Sequence, residues 1–130
     1  MSDADPPQEI DVLRALCALE QIEDPGSRAF TAGPGPWPLE GFLVRLGTAV
    51  HAYQNRCPHA GHRLNLRPHD FMTRDRLLVI CSSHAARFDP ATGMCVAGPC
   101  AGASLRRVPI ELRAGYVLLG EGVDPADYAD

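Results

Sequence analysis

The chain has 130 residues and a formal net charge of −4, with 45% hydrophobic and 22% charged residues. A chain of this length fits one domain, which buries roughly 65–70% of its unfolded surface and folds without needing a metal or a disulfide. No apolar run approaches the ~20 residues of a membrane span, the acidic N-terminus has neither signal nor transit character, and the negative net charge argues against general nucleic-acid binding.

The sequence predicts one folded domain at 11–120 between two acidic tails. Residues 1–10 are acidic, carry two prolines and are expected to be disordered. Residues 121–130 form the second acidic tail. The stretch 12–19 is compatible with a strand or a short helix, and the turn cluster at 23–28 favours the strand. Glycine and proline dominate 31–41, which predicts neither a helix nor a central strand there.

Short apolar runs separated by turn residues occupy the rest of the chain. The runs 42–46 and 49–55 are joined by Gly47 and Thr48, and a two-residue connection of this kind predicts a β-hairpin. Further strands are predicted at 77–80, 87–88, 94–97, 108–113 and 116–119. Short strands at this spacing, with no strong helix, predict an all-β sandwich or barrel-like stack.

Two loops carry the residues with the most distinctive chemistry. Cys57 and His59 follow one predicted strand, and Cys81 and His84 follow another. Both pairs lie just after an apolar strand, so two loops could bring two thiolates and two imidazoles to one point. From these residues alone, a Cys2His2 zinc site and incidental buried cysteines remain open alternatives.

The pattern resembles the Rieske [2Fe–2S] family. The first loop reads C-P-H-x-G; F-D-x-x-T-G follows the second at 88–93, and G-P at 98–99 precedes Leu105 and a Pro-Ile strand start. The resemblance covers roughly 16–119 and implies an all-β, Rieske-type stack of small antiparallel sheets, with a cluster-binding subdomain of two loops. It also implies one [2Fe–2S] cluster. Its ligands would be Cys57 and Cys81 on one iron and His59 and His84 on the other.

Departures from the family pattern predict a modest reduction potential. His62 and Ser83 stand where high-potential members carry a loop disulfide, and Ala86 stands where they place a serine that donates toward cluster sulfur. Fewer hydrogen bonds leave the reduced cluster less stabilised. We therefore expect a potential in the lower part of the Rieske range, of ferredoxin type. Ala85 replaces a family glycine, and its Cβ is unfavourable if that site needs a positive φ.

The resemblance implies a cytoplasmic one-electron carrier, a Rieske-type ferredoxin that is a component of an oxidoreductase system and not itself an enzyme. Its partners would be a reductase and a terminal oxidoreductase such as a ring-hydroxylating oxygenase. No small-molecule substrate, nucleic acid or membrane is expected. Two alternatives stay open: a small subunit of an enzyme complex, similar to that of nitrite reductase, and a cluster-based sensor or structural module.

All twelve basic residues are arginine, and their distribution is uneven. The stretch 56–87 holds six arginines and two aspartates, a local charge of +4. One hypothesis is that this face steers the protein toward an acidic patch on a redox partner. The alternative is that the arginines are merely solvated.

The remaining cysteines, histidines and the tryptophan receive simpler interpretations. Cys17, Cys95 and Cys100 are expected to be small buried hydrophobes. Pairing of the last two has no support from a secretory context. His62 is expected at the surface, with tuning of the cluster or partner contact as the alternative. No role is apparent for His51 or His69, and Trp37 is expected to pack in a loop or the core.

Overall fold

The computed structural model describes residues 13–33, 38–58, 61–82, 85–100 and 102–128. The predicted N-terminal tail and Trp37 lie outside these ranges. The described residues form the strands β1 Ala15–Ala18, β2 Gly26–Ala32, β3 Leu39–Leu46, β4 Ala49–Gln54, β5 Val79–Ile80, β6 Arg87–Phe88, β7 Cys95–Ala97, β8 Ile110–Arg113 and β9 Tyr116–Leu119. Two short 3-10 helices occupy Leu19–Gln21 and Pro125–Tyr128.

The nine strands form three small antiparallel sheets. Their orders are β1-β9-β8, β2-β3-β4 and β5-β6-β7. The predicted all-β stack is confirmed. Among the described residues, no helix has the length and apolar character needed to cross a membrane.

The hairpin predicted around Gly47 and Thr48 is confirmed. Strands β3 and β4 pair in register from Gly41 opposite Gln54 to Leu46 opposite Ala49. Gly47 has φ +67, a conformation that suits the tight turns of two-residue hairpins and that glycine adopts without steric cost.

Strand β2 is a correction to the sequence analysis. The sequence predicts a turn at 23–28 and no central strand at 31–41, yet β2 pairs with the central strand β3 at seven consecutive positions. Gly41 permits the pairing by leaving room for the Phe30 ring across the strands: a Cβ at Gly41 would lie 2.4 Å from Phe30 Cζ. This packing across the strands depends on residues of the partner strand and cannot be predicted from the sequence of Gly26–Ala32 alone.

The central sheet β2-β3-β4 lies between two hydrophobic cores. Phe42 and Val44 of β3 and Tyr53 of β4 point into the first core, which also contains Cys57 and Cys81. Their neighbours Leu43 and Ala52 point into the second core, with Val117 and Leu119 of β9. Alternate residues of a strand face opposite sides of its sheet, so β3 and β4 connect the cysteine-bearing core to the rest of the domain.

The C-terminal acidic segment packs against the domain as far as Tyr128. Gln54 Nε2 donates to the Tyr128 carbonyl at 2.8 Å, and the Tyr128 hydroxyl donates to the Arg107 carbonyl at 3.3 Å. The Arg106 guanidinium lies 4.1 Å from the Tyr128 ring centre. This contact suits a cation over an aromatic face and holds the last 3-10 helix beside β4.

Candidate metal centre

The first cysteine loop is a turn closed by two backbone hydrogen bonds. The Cys57 amide donates to the His62 carbonyl at 2.8 Å, and the Gly61 amide donates to the Cys57 carbonyl at 2.7 Å. Gly61 has φ +75, which lets the chain reverse after four residues. The turn leaves the Cys57 side chain fully buried in the first core.

The second cysteine loop repeats this arrangement position by position. The Cys81 amide donates to the Ala86 carbonyl at 2.8 Å, and the Ala85 amide donates to the Cys81 carbonyl at 3.0 Å. Ala85, four residues after the cysteine like Gly61, has φ +56. Cys81 is fully buried in the same core as Cys57. Two matched turns therefore direct two thiols into one apolar region.

Leu64 links the two loops to each other and to β4. Asn55, just after β4, accepts at its Oδ1 a hydrogen bond from the Leu64 amide at 2.9 Å. The Leu64 carbonyl in turn accepts from the Ser82 amide at 2.8 Å. The side chain of Leu64 is fully buried in the core that contains both cysteines. The relative position of the loops is thus fixed by two hydrogen bonds through the backbone of Leu64, one to a side chain and one to the backbone.

The predicted ligand histidines, His59 and His84, lie outside the described residues, each between the described ends of its turn. Within the described part of the chain, no three histidine, cysteine or acidic side chains form a group that could hold a metal ion. The donors that the structure does describe suit an iron–sulfur cluster. Cys57 and Cys81 are thiols in a buried, apolar setting, and thiolate is the protein ligand that such clusters take.

The F-D-x-x-T-G motif at 88–93 forms a turn next to the first core. Asp89 Oδ1 accepts from the amides of Ala91 at 2.8 Å and Thr92 at 3.2 Å. The Tyr53 hydroxyl donates to the Pro90 carbonyl at 2.8 Å, and burial is the main reason that the pKa of Tyr53 rises to about 12. The motif therefore anchors the turn on a core tyrosine, and the Asp89 carboxylate is occupied by backbone amides.

The G-P motif places a third segment against the second cysteine loop. Gly98 has φ +96, and a Cβ there would lie 2.8 Å from the Ala86 Cα. Cys100, two residues later, is buried in the first core. Burial raises the pKa of Cys100, with further increases from the hydrogen bond to Cys95 and from the neighbouring thiols of Cys95 and Cys57. Residues 98–100 thus lie close to both cysteine loops.

His69 has a structural role that the sequence did not indicate. Its Nδ1 accepts the Ala29 amide of β2 at 3.0 Å, and its carbonyl accepts the Ser27 hydroxyl at 2.8 Å. Ser27 Oγ also accepts the Phe71 amide at 3.2 Å. These bonds fasten the segment between the two cysteine loops to the edge of the central sheet. The role depends on contacts 40 or more residues apart in sequence, so no local pattern reveals it.

The other histidines of the described region lie at the surface or near it. His62 is exposed, as expected, with Nδ1 3.0 Å from the Arg63 carbonyl. His51 lies beside Arg107, and its pKa is lowered first by partial burial and then by that guanidinium.

The basic segment 56–87 is partly neutralised by acids from other parts of the chain. Arg63 makes a two-bond ion pair with Glu40, at 3.1 and 2.6 Å. Arg76 pairs with Glu23. Including these two glutamates lowers the local charge from +4 to +2. The segment 56–87 together with these two glutamates therefore remains positively charged, although the net charge of the whole chain is −4.

Relief of backbone strain at Ala85 is expected to stabilise the protein. A left-handed conformation costs an alanine about 1–2 kcal/mol, while glycine in its place loses about 0.4–1 kcal/mol through the freer unfolded chain. Ala85→Gly should therefore raise the free energy of unfolding by up to about 1.5 kcal/mol. Guanidinium unfolding followed by circular dichroism measures the change.

Ala114, with φ +51 in the β8–β9 turn, provides the matched control for this prediction. Ala114→Gly should give a similar stabilisation without any change in the visible spectrum of the protein. A destabilised Ala85→Gly variant alongside a stabilised Ala114→Gly variant would contradict the strain argument.

The matched cysteine loops place two thiols in one buried region of a small β-domain. The family model for the Rieske [2Fe-2S] domain matches residues 15–112. The chain therefore belongs to the Rieske [2Fe-2S] domain family, a family whose domain implies a [2Fe–2S] cluster. No curated protein matches the sequence.

Solved structures of similar fold include ferredoxins and oxygenases. The ferredoxin of carbazole 1,9a-dioxygenase from Nocardioides aromaticivorans IC177 is 27% identical, with a TM-score of 0.64 over 81% of this chain and 93% of that one. The Sphingomonas yanoikuyae B1 ferredoxin is 22% identical, with a TM-score of 0.64 over 82% and 96%. The terminal oxygenase of the Nocardioides system is 18% identical, with a TM-score of 0.66 over 85% of this chain but 30% of its own.

Proposed function

We propose that this chain is a Rieske-type ferredoxin, a one-electron carrier between a reductase and a terminal oxidoreductase such as a ring-hydroxylating oxygenase. The observation that carries the proposal is the pair of matched turns that place Cys57 and Cys81 in one buried region. The family membership and the 27% identity to a ferredoxin of a dioxygenase system support it.

In this proposal one [2Fe–2S] cluster is held by Cys57 and Cys81 on one iron and by His59 and His84 on the other. When bound, such a cluster supplies reversible one-electron chemistry at about −150 to +300 mV, because two neutral imidazoles replace two thiolates. The chain's own residues exclude water around the thiols and fix their direction through the two turns. Leu64 keeps the two loops in a constant relative position.

The cytoplasm is the proposed location of this carrier. None of the five cysteines is in a disulfide in the structure, as is usual for proteins of a reducing compartment.

Electron transfer by this chain is tested with a reductase and a terminal oxygenase in stopped flow. With the chain present at a small fraction of the oxygenase concentration, the oxygenase should be reduced over many turnovers. Reduction that is equally fast without the chain would contradict the carrier role. A stable complex on co-purification, with no turnover by the free chain, would instead identify a subunit of an enzyme complex.

The rate of this transfer is expected to fall as ionic strength rises, because the basic segment attracts an acidic partner surface. Arg67 is the most informative position: it is exposed, and no ion pair engages it within the described residues. Arg67→Gln should slow transfer at low salt by about two- to tenfold. Arg113→Gln, on β8 of another sheet, is the control and should have little effect. A rate independent of salt would exclude steering.

The reduction potential is expected in the lower part of the Rieske range. Ala86 is fully buried in the core that contains Cys81 and offers no hydroxyl to the cluster region. Protein-film voltammetry should give a value below roughly +200 mV. Ala86→Ser should raise the potential, because a hydroxyl donor stabilises the reduced charge. A wild-type value above roughly +200 mV would contradict this account of the loops.

A further inference from the structure

Two cysteines outside the proposed ligand set lie in direct contact. Cys95 Sγ, on β7, and Cys100 Sγ are 2.8 Å apart. This is shorter than the ~3.5–4.0 Å at which even the smaller carbon atoms rest against each other. Both side chains are nearly covered, at 5% and 6% exposure. Ala97, Gly98 and Pro99 between them are exposed, so the pair lies directly beneath the surface.

Backbone bonds keep the two thiols in this position. The Cys95 amide donates to the Ala103 carbonyl at 2.9 Å, and the Ala103 amide donates to the Cys100 carbonyl at 2.9 Å. Ala103 therefore connects the backbones of Cys95 and Cys100 through two hydrogen bonds, and both cysteines are buried. Because the ordering of the two thiols is already complete in the folded chain, bond formation between them loses little further entropy.

We propose that Cys95 and Cys100 are a reversible disulfide-forming site, oxidised by a low-molecular-weight disulfide such as glutathione disulfide. Cys95, whose sulfur accepts the hydrogen bond of the Cys100 thiol, loses its proton and attacks the external disulfide as the thiolate, which releases one small thiol and leaves a mixed disulfide on the protein. The second cysteine then attacks the protein sulfur and releases the second small thiol. Two S–H bonds and one external S–S bond are broken; one protein S–S bond is formed, and the small molecule takes both electrons and both protons.

The position of the two cysteines indicates which part of the chain a disulfide between them would hold in place. The segment joining the two cysteines contains Gly98, whose backbone lies against Ala86 at the end of the second cysteine loop. Oxidation would therefore join the segment that lies against Ala86 to β7 by a covalent bond. In a cytoplasmic protein, a disulfide of this kind is expected to be transient and sensitive to redox conditions.

Tryptic mapping of the intact, cluster-bearing protein tests the proposal directly. Cleavage after Arg87 and Arg106 gives the peptide 88–106, which contains Cys95 and Cys100 and no other cysteine. The protein is equilibrated in glutathione buffers of rising oxidised fraction, alkylated under denaturing conditions and digested. In the oxidised buffers, the peptide should take no alkyl label and lose the mass of two hydrogens. In reduced buffers, it should take two labels.

Internal controls come from the other cysteines and from single variants. Cys17 lies on another sheet and in another tryptic peptide, and it should stay free of an intramolecular bond. Cys95→Ser and Cys100→Ser should each leave one cysteine that is alkylated or carries a single glutathione, with the visible cluster absorption retained. A doubly alkylated wild-type peptide at every glutathione ratio would overturn the proposal, as would a stable single glutathione adduct. Neither result bears on the carrier function.

Discussion

Replacing Cys57 or Cys81 with serine is expected to abolish cluster binding. Each thiol is fully buried at the start of a turn closed by its own amide and carbonyl, so the backbone of that turn sets its position. A serine hydroxyl is a poorer ligand for iron than a thiolate. Iron content should fall from two atoms per chain to nearly none, and the visible absorption should disappear. Because metal binding contributes to folding, both variants should also unfold at lower temperature.

Cys17→Ser provides the control for these variants. Cys17 is a half-buried cysteine of β1. It pairs with Val117 of β9 in the sheet β1-β9-β8, which contains neither Cys57 nor Cys81, so its replacement should leave iron content unchanged. If Cys57→Ser or Cys81→Ser kept as much iron as Cys17→Ser, the ligand assignment would be wrong.

Replacing Gly93 with alanine is expected to cause a large loss of stability. A Cβ at Gly93 would lie 2.7 Å from Cε1 of Tyr53, a fully buried ring whose hydroxyl is bonded to the Pro90 carbonyl. Overpacking costs about 1–3 kcal/mol. The positive φ of +80 adds up to about 1.5 kcal/mol, because its steric cost is partly offset by the less flexible unfolded chain of the alanine variant. The free energy of unfolding should fall by about 1–4.5 kcal/mol, measured by guanidinium titration.

Gly115→Ala separates the two contributions to this loss. Gly115 has φ +82, almost the same as Gly93, but a Cβ added there would meet no atom within 4 Å. It should lose only the net conformational part, up to about 1.5 kcal/mol. Equal losses for the two variants would show that contact with Tyr53 contributes nothing.

Local chemistry makes part of this fold predictable from sequence. The Gly47 turn, the strand at Tyr116–Leu119 and the overall all-β class each depend on residues close together in the chain. The strain anticipated at Ala85 is also local, and the structure places this residue at φ +56. The F-D-x-x-T-G and G-P motifs are recognisable by resemblance, and the structure adds their physical reasons: anchoring on Tyr53 and close contact with Ala86.

The features missed from sequence all depend on long-range pairing or on the closure of a loop. Strand β2 exists because β3 offers it a complete register and room for Phe30, and neither property is visible in its own composition. His69 fastens the inter-loop segment to Ala29, 40 residues away. The sequence raises a pairing of Cys95 and Cys100 without supporting it, and the contact between them depends on the backbone bonds through Ala103. The roles of His59 and His84 stay predictions, supported by the geometry of the two turns that contain them.

The central claim is that two cysteines and two histidines hold one [2Fe–2S] cluster that carries single electrons. Electron paramagnetic resonance of the purified protein after dithionite reduction, with iron and sulfide measured on the same sample, tests it most directly. We predict a red-brown protein with two irons and two sulfides per chain and the signal of a mixed Cys/His-ligated cluster. A colourless protein that holds zinc after anaerobic purification would contradict the claim.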